Sequence, residues 1–137
     1  VIGDSVNIAY RLEALAPLYQ TDIVVSAATL DVAEAKHHFS YRVLDWVRVK
    51  GRSSPIEIYE VIDHLPIELQ QLKLANAALI AKGLSSRIQQ NWPKAISYFQ
   101  QAQAINPHDT LVIHHINQCQ KLQQLPLKSD WDGAILL

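Results

Sequence analysis

Two polar residues near the start of the chain have the types and spacing of an anion-binding pair. The stretch GDSVNIAYRLE carries Asn7 and Arg11, four residues apart, so on a helix both side chains project from one face. A surface arginine on a helix usually has an acidic residue three or four positions away, but those positions hold Asn7, Ile8, Ala14 and Leu15. The partner of Arg11 must therefore come from another element. A carboxylate elsewhere in the fold and a ligand anion are both candidates.

A second basic cluster consists of Arg48, Lys50 and Arg52. In an extended strand, Arg48 and Lys50 point away from the face that carries Val47 and Val49. One interpretation is a solvated strand edge, where lysine discourages aggregation. The other is a phosphate contact, in which Lys50 acts as a point charge.

The elements that must position these residues are a helix and a hairpin. Residues 5 to 17 are predicted to be helical, with Asp4 as N-cap and an apolar stripe made of Ile8, Leu12, Leu15 and Tyr19. A short strand at 22 to 26 and a helix at 27 to 38 follow. Period-two alternation at 41 to 50 and again at 56 to 62, around the turn residues GRSSP, predicts a β-hairpin with Lys50 at its rim.

The composition changes near residues 63 to 67, where we expect a domain boundary. Beyond it the sequence is rich in Leu, Ala and Gln and predicts three helices at about 67 to 89, 92 to 105 and 109 to 123, then a tail at 124 to 137 without strands. Small and apolar residues follow the spacing of one tetratricopeptide repeat: Gly83, Ala95, Phe99, Ala102 and Pro107. The aromatic residue expected three positions after the glycine is replaced by Ser86.

The overall composition excludes several classes of function. Twelve basic and thirteen acidic residues give a net charge of −1, so no long-range field attracts nucleic acid. The single Cys119 cannot form an internal disulfide, and the six histidines lack metal-ligand spacing. No apolar run approaches the ~18 residues of a membrane span, and we expect a cytoplasmic segment. Without methionine and starting at Val1, the chain is expected to be a piece of a longer reading frame.

The first half of the chain resembles the C-terminal part of the class III nucleotidyl cyclase catalytic domain, the family of adenylate and guanylate cyclases. The resemblance covers residues 1 to 62. Two motifs carry it, together with the intervening IVVS strand. The first motif is formed by Gly3, Val6, Asn7, Arg11, Leu12 and Glu13, and the second by Val49, Lys50, Gly51, Pro55 and Tyr59.

The second half is similar to the C-terminal extension of large bacterial adenylate cyclases. The matching positions are Trp92, Ala95, Phe99, Pro107, Cys119, Trp131, Asp132 and Gly133. The resemblance implies an α/β, ferredoxin-like cyclase half-domain at residues 1 to 63 and a small all-α, tetratricopeptide-like unit at 67 to 123. In such proteins the cyclase domain often follows a membrane-anchored or phosphopeptide-binding sensor.

The resemblance also implies a reaction and a role for each site residue. A nucleoside triphosphate, with ATP favoured, would be cyclised with release of pyrophosphate at the interface of a homodimer. Asn7 would orient the ribose and Arg11 would neutralise charge on the α-phosphate. Lys50 would hold the terminal phosphates, and Val1 and Ile2 would line the base pocket through backbone groups. These residue types suit phosphoryl chemistry, which depends on positioning and charge stabilisation.

The resemblance places the ligands of two divalent ions, Mg²⁺ or Mn²⁺, upstream of Val1. Asp4, Asp22, Asp31 and Asp45 do not occupy the metal-binding motif positions, so we assign no metal ligand, and we expect this fragment alone to be inactive. The alternative is a catalytically inactive, cyclase-like domain that binds nucleotide and regulates. The helical half is interpreted as a brace on the dimer, or alternatively as an interaction module for another protein, although a peptide-binding groove needs several stacked repeats.

Overall fold

The computed structural model describes residues 12–32, 39–49 and 53–137. Within them the chain is a mixed α/β protein with a four-stranded sheet and several helices, which confirms that level of the predicted fold class. It folds as two compact units. We call Val1–Pro66 together with Ile135–Leu137 the sheet unit, and Ile67–Ala134 the helical unit.

The sheet unit has the strand order β1-β3-β2-β4. Residues 12 to 15 are helical, and they are followed by β1 (Val24–Ser26), α1 (Ala27–Val32), β2 (Tyr41–Arg48), β3 (Ile56–Val61) and, at the end of the chain, β4 (Ile135–Leu136). β2 and β3 form the predicted antiparallel hairpin, and β1 pairs antiparallel with β3. β4 lies parallel to β2, so the expectation of a tail without strands is wrong. Two residues are too few to show a strand pattern, and the pairing depends on the exposed edge of β2.

A β-bulge interrupts the pairing of β2 with β3 between Val43 and Asp45. It reverses the alternation of buried positions: Arg42 and Leu44 are buried before it, and Asp45 and Val47 after it. Ser26, Ile58 and Glu60 are buried at partner positions on β1 and β3, so one face of the sheet is the core face of this unit.

The helical unit consists of α2 (Ile67–Ile88), α3 (Trp92–Ile105) and α4 (Thr110–Leu122), close to the predicted ranges. Asn91 caps α3 by accepting a hydrogen bond from the backbone N–H of Lys94, and Asp109 caps α4 by accepting from that of Leu111. Both residues lie in the polar segments that separate the helices in sequence, where such caps are expected.

The small residues of the helical unit allow α2 and α3 to approach closely. A Cβ atom added to Gly83 would lie 2.5 Å from Cε1 of Phe99, so glycine is required there by the aromatic ring. Ala95, Phe99 and Ala102 are fully buried. Ser86, at the position where an aromatic residue was expected, is buried and donates from Oγ to the carbonyl oxygen of Lys82.

Candidate functional site

All five predicted site residues lie outside the described residues: Val1, Ile2, Asn7, Arg11 and Lys50. Asp4, which was considered as an N-cap and excluded as a metal ligand, also lies outside them. The structure does describe the residues that neighbour two of them in the sequence. Residues 12 to 15 directly follow Arg11, and Val49 directly precedes Lys50.

The segment that follows Arg11 has the predicted helical orientation. Leu12 and Leu15 are buried, whereas Glu13 and Ala14 between them are exposed. Tyr19 is also buried, and its hydroxyl donates to Oδ2 of Asp45 over 2.7 Å. The apolar stripe is therefore confirmed for three of its four members, and Ile8 lies outside the described residues. The hydrogen bond from Tyr19 to Asp45 holds the turn after the helix against the middle of β2.

The segment that precedes Lys50 is held from two sides. Val47 pairs with Ile56 of β3 and with Ile135 of β4, and it is fully buried. Arg48 is only half-buried, and its carbonyl oxygen accepts a hydrogen bond from the backbone N–H of Leu137 over 3.1 Å. The predicted alternation, with Arg48 opposite Val47, is confirmed. Val49, the residue before Lys50 in the sequence, is buried next to this paired strand end.

A buried ion pair in the sheet unit was not anticipated from the sequence. Arg42 and Glu60 are 2 % and 1 % exposed and are direct partners across the hairpin. Nη2 of Arg42 lies 2.6 Å from Oε1 of Glu60, and Nε donates to the same oxygen over 2.8 Å. Thr21 donates from its hydroxyl to Oε2 over 2.6 Å. The signal for this pair is the hairpin register, which places opposite charges side by side.

The described aspartates Asp22, Asp31 and Asp45 have different surroundings in the sheet unit. Asp22 is exposed and lies 2.7 Å from Nε2 of His64. Asp45 is buried, accepts from Tyr19, and also accepts from the backbone N–H of Trp46. Asp31 is exposed on α1. The assignment of no metal ligand to Asp22, Asp31 and Asp45 stays a prediction.

The sheet unit contains an open cavity of about 320 Å³ beside the hairpin. Trp46 of β2 and Glu57 of β3 are direct strand partners and both line it, with Pro55 and Ile56 next to them. Burial raises the pKa of the Glu57 carboxyl above its ordinary value of 4.5. This cavity could not be predicted from local sequence patterns, because its walls come from three separate segments.

Three curated proteins show similarity to the chain. "Adenylate cyclase, terminal-differentiation specific" of Dictyostelium discoideum is 33% identical over 129 residues, which is 93% of this chain and 6% of that protein. "Adenylate cyclase 1" of Rhizobium meliloti is 41% identical over 61 residues, or 44% of this chain and 9% of its own length. "Adenylate cyclase" of Anabaena cylindrica is 40% identical over 62 residues, or 44% of this chain and 12% of its own length.

The chain is related to adenylate cyclases. The Dictyostelium match is longer than either unit, so the cyclase relationship extends over residues of both. The chain spans only about a tenth or less of the length of these relatives. No family model and no solved structure matches it. Within the described residues, no helix combines the length and apolar character needed to cross a membrane.

Proposed function

We propose that the chain is the C-terminal part of a class III nucleotidyl cyclase catalytic domain, of the ferredoxin-like type, followed by a tetratricopeptide-like extension. The observation that carries the proposal is the match to an adenylate cyclase over 93% of the chain, together with the order of Asn7, Arg11 and Lys50 in its sequence. The reaction is conversion of ATP to cyclic AMP and pyrophosphate in the cytoplasm, for signalling. The proposal requires a longer protein that contains this chain.

In the proposed reaction the ribose 3′ oxygen attacks the α-phosphorus of ATP. A bond forms between these two atoms, the bond from the α-phosphorus to the oxygen bridging to the β-phosphate breaks, and the proton of the 3′ hydroxyl is released to solvent water. Asn7 orients the ribose, and Arg11 balances the negative charge that grows on the α-phosphate. Lys50 holds the terminal phosphates, while backbone groups of Val1 and Ile2 lie along the base.

The proposal assigns the two divalent ions, Mg²⁺ or Mn²⁺, to ligands outside this chain. Among the described aspartates of the sheet unit, Asp22 contacts His64 and Asp45 contacts Tyr19. In the proposed homodimer, carboxylates of the partner subunit would complete each site. This chain alone is therefore expected to form no cyclic AMP.

Contacts of the residues that neighbour Arg11 and Lys50 in the sequence suit the proposed site. The chain after residues 12 to 15 is bonded to β2 through Tyr19 and Asp45, and Lys50 follows Val49 in the sequence beyond β2. Both sides of β2 are paired near its end, by Ile56 and by Ile135. When catalysis depends on positioning, a shift of about 1 Å in a catalytic group lowers the rate steeply. Contacts that restrict movement therefore suit the proposed chemistry.

The most direct test is cyclic AMP formation by the longer protein with Arg11→Ala. Removing one preorganised donor to transition-state charge should lower turnover by ~10² to 10³. Lys94→Ala is the matched control, because it also removes one positive charge but lies at an exposed position of α3. Full turnover by Arg11→Ala would contradict the proposal. ATP binding without any cyclic AMP from the unaltered protein would instead favour the inactive regulatory domain.

We also propose that the helical unit braces the cyclase dimer. Deletion of residues 67 to 137 should weaken dimerisation, as measured by analytical ultracentrifugation. This deletion also removes β4, which pairs with β2. A variant that lacks only residues 135 to 137 is therefore the necessary control, and it should dimerise more strongly than the larger deletion. Unchanged dimer affinity after the larger deletion would point to an outside protein partner.

A further inference from the structure

The cavity beside the hairpin has one charged wall and several apolar ones. Trp46 and Glu57 face each other across β2 and β3, so their side chains leave the same face of the sheet, with Cβ atoms about 5 Å apart. Apolar groups complete the walls, namely Ala27, Ala28, Pro55 and Ile56. Trp46 and Glu57 thus lie side by side in the wall of a mainly apolar cavity, to which Ser26 contributes one further polar residue.

Among the residues that the structure describes, the carboxylate of Glu57 has a hydrogen-bond donor but no cationic partner. The hydroxyl of Tyr59 donates to its Oε1. Within residues 12–32, 39–49 and 53–137, no lysine, arginine or histidine forms an ion pair with Glu57. Burial raises the pKa of this carboxyl, because it disfavours the charged form. A bound cation would supply the missing charge.

We propose that this cavity binds a primary alkylammonium group, with the ammonium against Glu57 and Trp46 and its alkyl stem against the apolar walls. An ammonium gains an ion pair with the carboxylate and a cation–π contact with the indole face. An anion would be repelled by Glu57, and a neutral alkyl group would leave the carboxylate without a partner. The volume of about 320 Å³ accommodates a short stem of a few carbons.

None of the wall residues of the cavity belongs to the proposed catalytic or substrate-binding set. Its affinity is expected to be millimolar, since ion pairs and cation–π contacts at partly exposed positions are weak. A ligand of this kind would sit on the two strands of the hairpin, next to the turn that joins them.

The test is an NMR titration of the 137-residue chain with n-butylammonium, followed at the indole N–H of Trp46. Butan-1-ol is the neutral isostere and should shift this signal at least about tenfold more weakly. Glu57→Gln preserves the shape of the side chain and should weaken n-butylammonium binding about tenfold, the scale of one hydrogen bond to a charged group. Glu68→Gln, at an exposed position of α2, is the matched control and should bind like the unaltered chain.

Two further comparisons sharpen the result. Trp46→Phe, which keeps an aromatic face, should bind n-butylammonium more tightly than Trp46→Leu, with both variants followed at the backbone N–H of Glu57, which also lines the cavity. N-acetyl-lysinamide carries the same cation on a peptide backbone: binding as tight as that of n-butylammonium identifies a lysine side chain as the natural ligand, and weaker binding identifies a free amine. Equal binding of butan-1-ol and n-butylammonium, unaltered binding by Glu57→Gln, or no shift of Trp46 would each overturn the proposal.

Discussion

The two units of the chain bury polar groups in different ways. In the sheet unit the hairpin register brings opposite charges together, so that Arg42 and Glu60 form a buried ion pair. In the helical unit a buried arginine, Arg87, donates from Nη2 to the backbone carbonyl oxygen of Gly133 over 3.1 Å. Gly83 and Phe99 pack closely in this unit, because a side chain at position 83 would collide with the aromatic ring. The comparison teaches that strand register places the buried charge pair of the sheet unit, whereas residue size sets how closely α2 and α3 approach in the helical unit.

The largest stability effect is expected from breaking the ion pair on one side. Glu60→Leu leaves Arg42 charged and buried without its carboxylate, and should lower the free energy of unfolding of the sheet unit by about 3 to 5 kcal/mol. Urea unfolding followed at Trp46, with Trp92 and Trp131 as probes of the helical unit, measures it. The double variant Arg42→Met, Glu60→Leu should recover most of the loss, since apolar residues can replace a buried pair. If Glu60→Leu is as stable as the unaltered chain, the ion pair between Arg42 and Glu60 does not stabilise the sheet unit.

A somewhat smaller effect is expected from Gly83→Val. The added methyl groups meet the ring of Phe99, which is fully buried, so the free energy of unfolding of the helical unit should fall by about 3 kcal/mol. Ala78→Val on the exposed side of α2 is the control, and should cost only a few tenths of a kcal/mol through helix propensity. Thermal unfolding monitored by circular dichroism distinguishes them. Equal losses of unfolding free energy in the two variants would show that the size of the side chain at position 83 is unimportant.

The smallest effect is a pH dependence that belongs to the sheet unit. The raised pKa of Glu57 means that the folded chain holds its proton at pH values where the unfolded chain has released it. This group therefore favours folding most below pH 4.5, and its contribution declines as the pH rises through the raised value. Glu57→Gln should gain stability relative to the unaltered chain over that interval. Urea midpoints of both proteins across the acidic range measure the difference, and a constant difference would contradict it.

Local patterns predicted most of the elements, because helix periodicity, caps and turn residues act over a few positions. The hairpin and the three long helices follow from such patterns. The bulge between Val43 and Asp45 could not be predicted, since strict alternation places Asp45 and Leu44 on opposite faces and both are buried. β4 and the Arg42–Glu60 pair depend on register between distant segments. That register is a tertiary property which a periodic pattern does not contain.

The features of the candidate site also divide into those that local sequence patterns predict and those that they do not. The burial of Leu12, Leu15 and Tyr19 beside Arg11 followed from helix periodicity, and the orientation of Arg48 from strand alternation. The roles of Asn7, Arg11 and Lys50 rest on the resemblance of their motifs to the cyclase family and stay predictions. The Trp46 and Glu57 cavity was missed, because residues eleven positions apart meet only through strand pairing.

The central claim is that Arg11 stabilises the transition state while Lys50 binds the terminal phosphates of ATP. Steady-state kinetics of cyclic AMP formation, measured on the longer protein with Arg11→Ala and Lys50→Ala, tests it most directly. Arg11→Ala should lower kcat by ~10² to 10³ with little change in KM, because its interaction strengthens as the α-phosphate gains charge. Lys50→Ala should mainly raise KM. Unchanged kcat and KM in both variants would contradict the account.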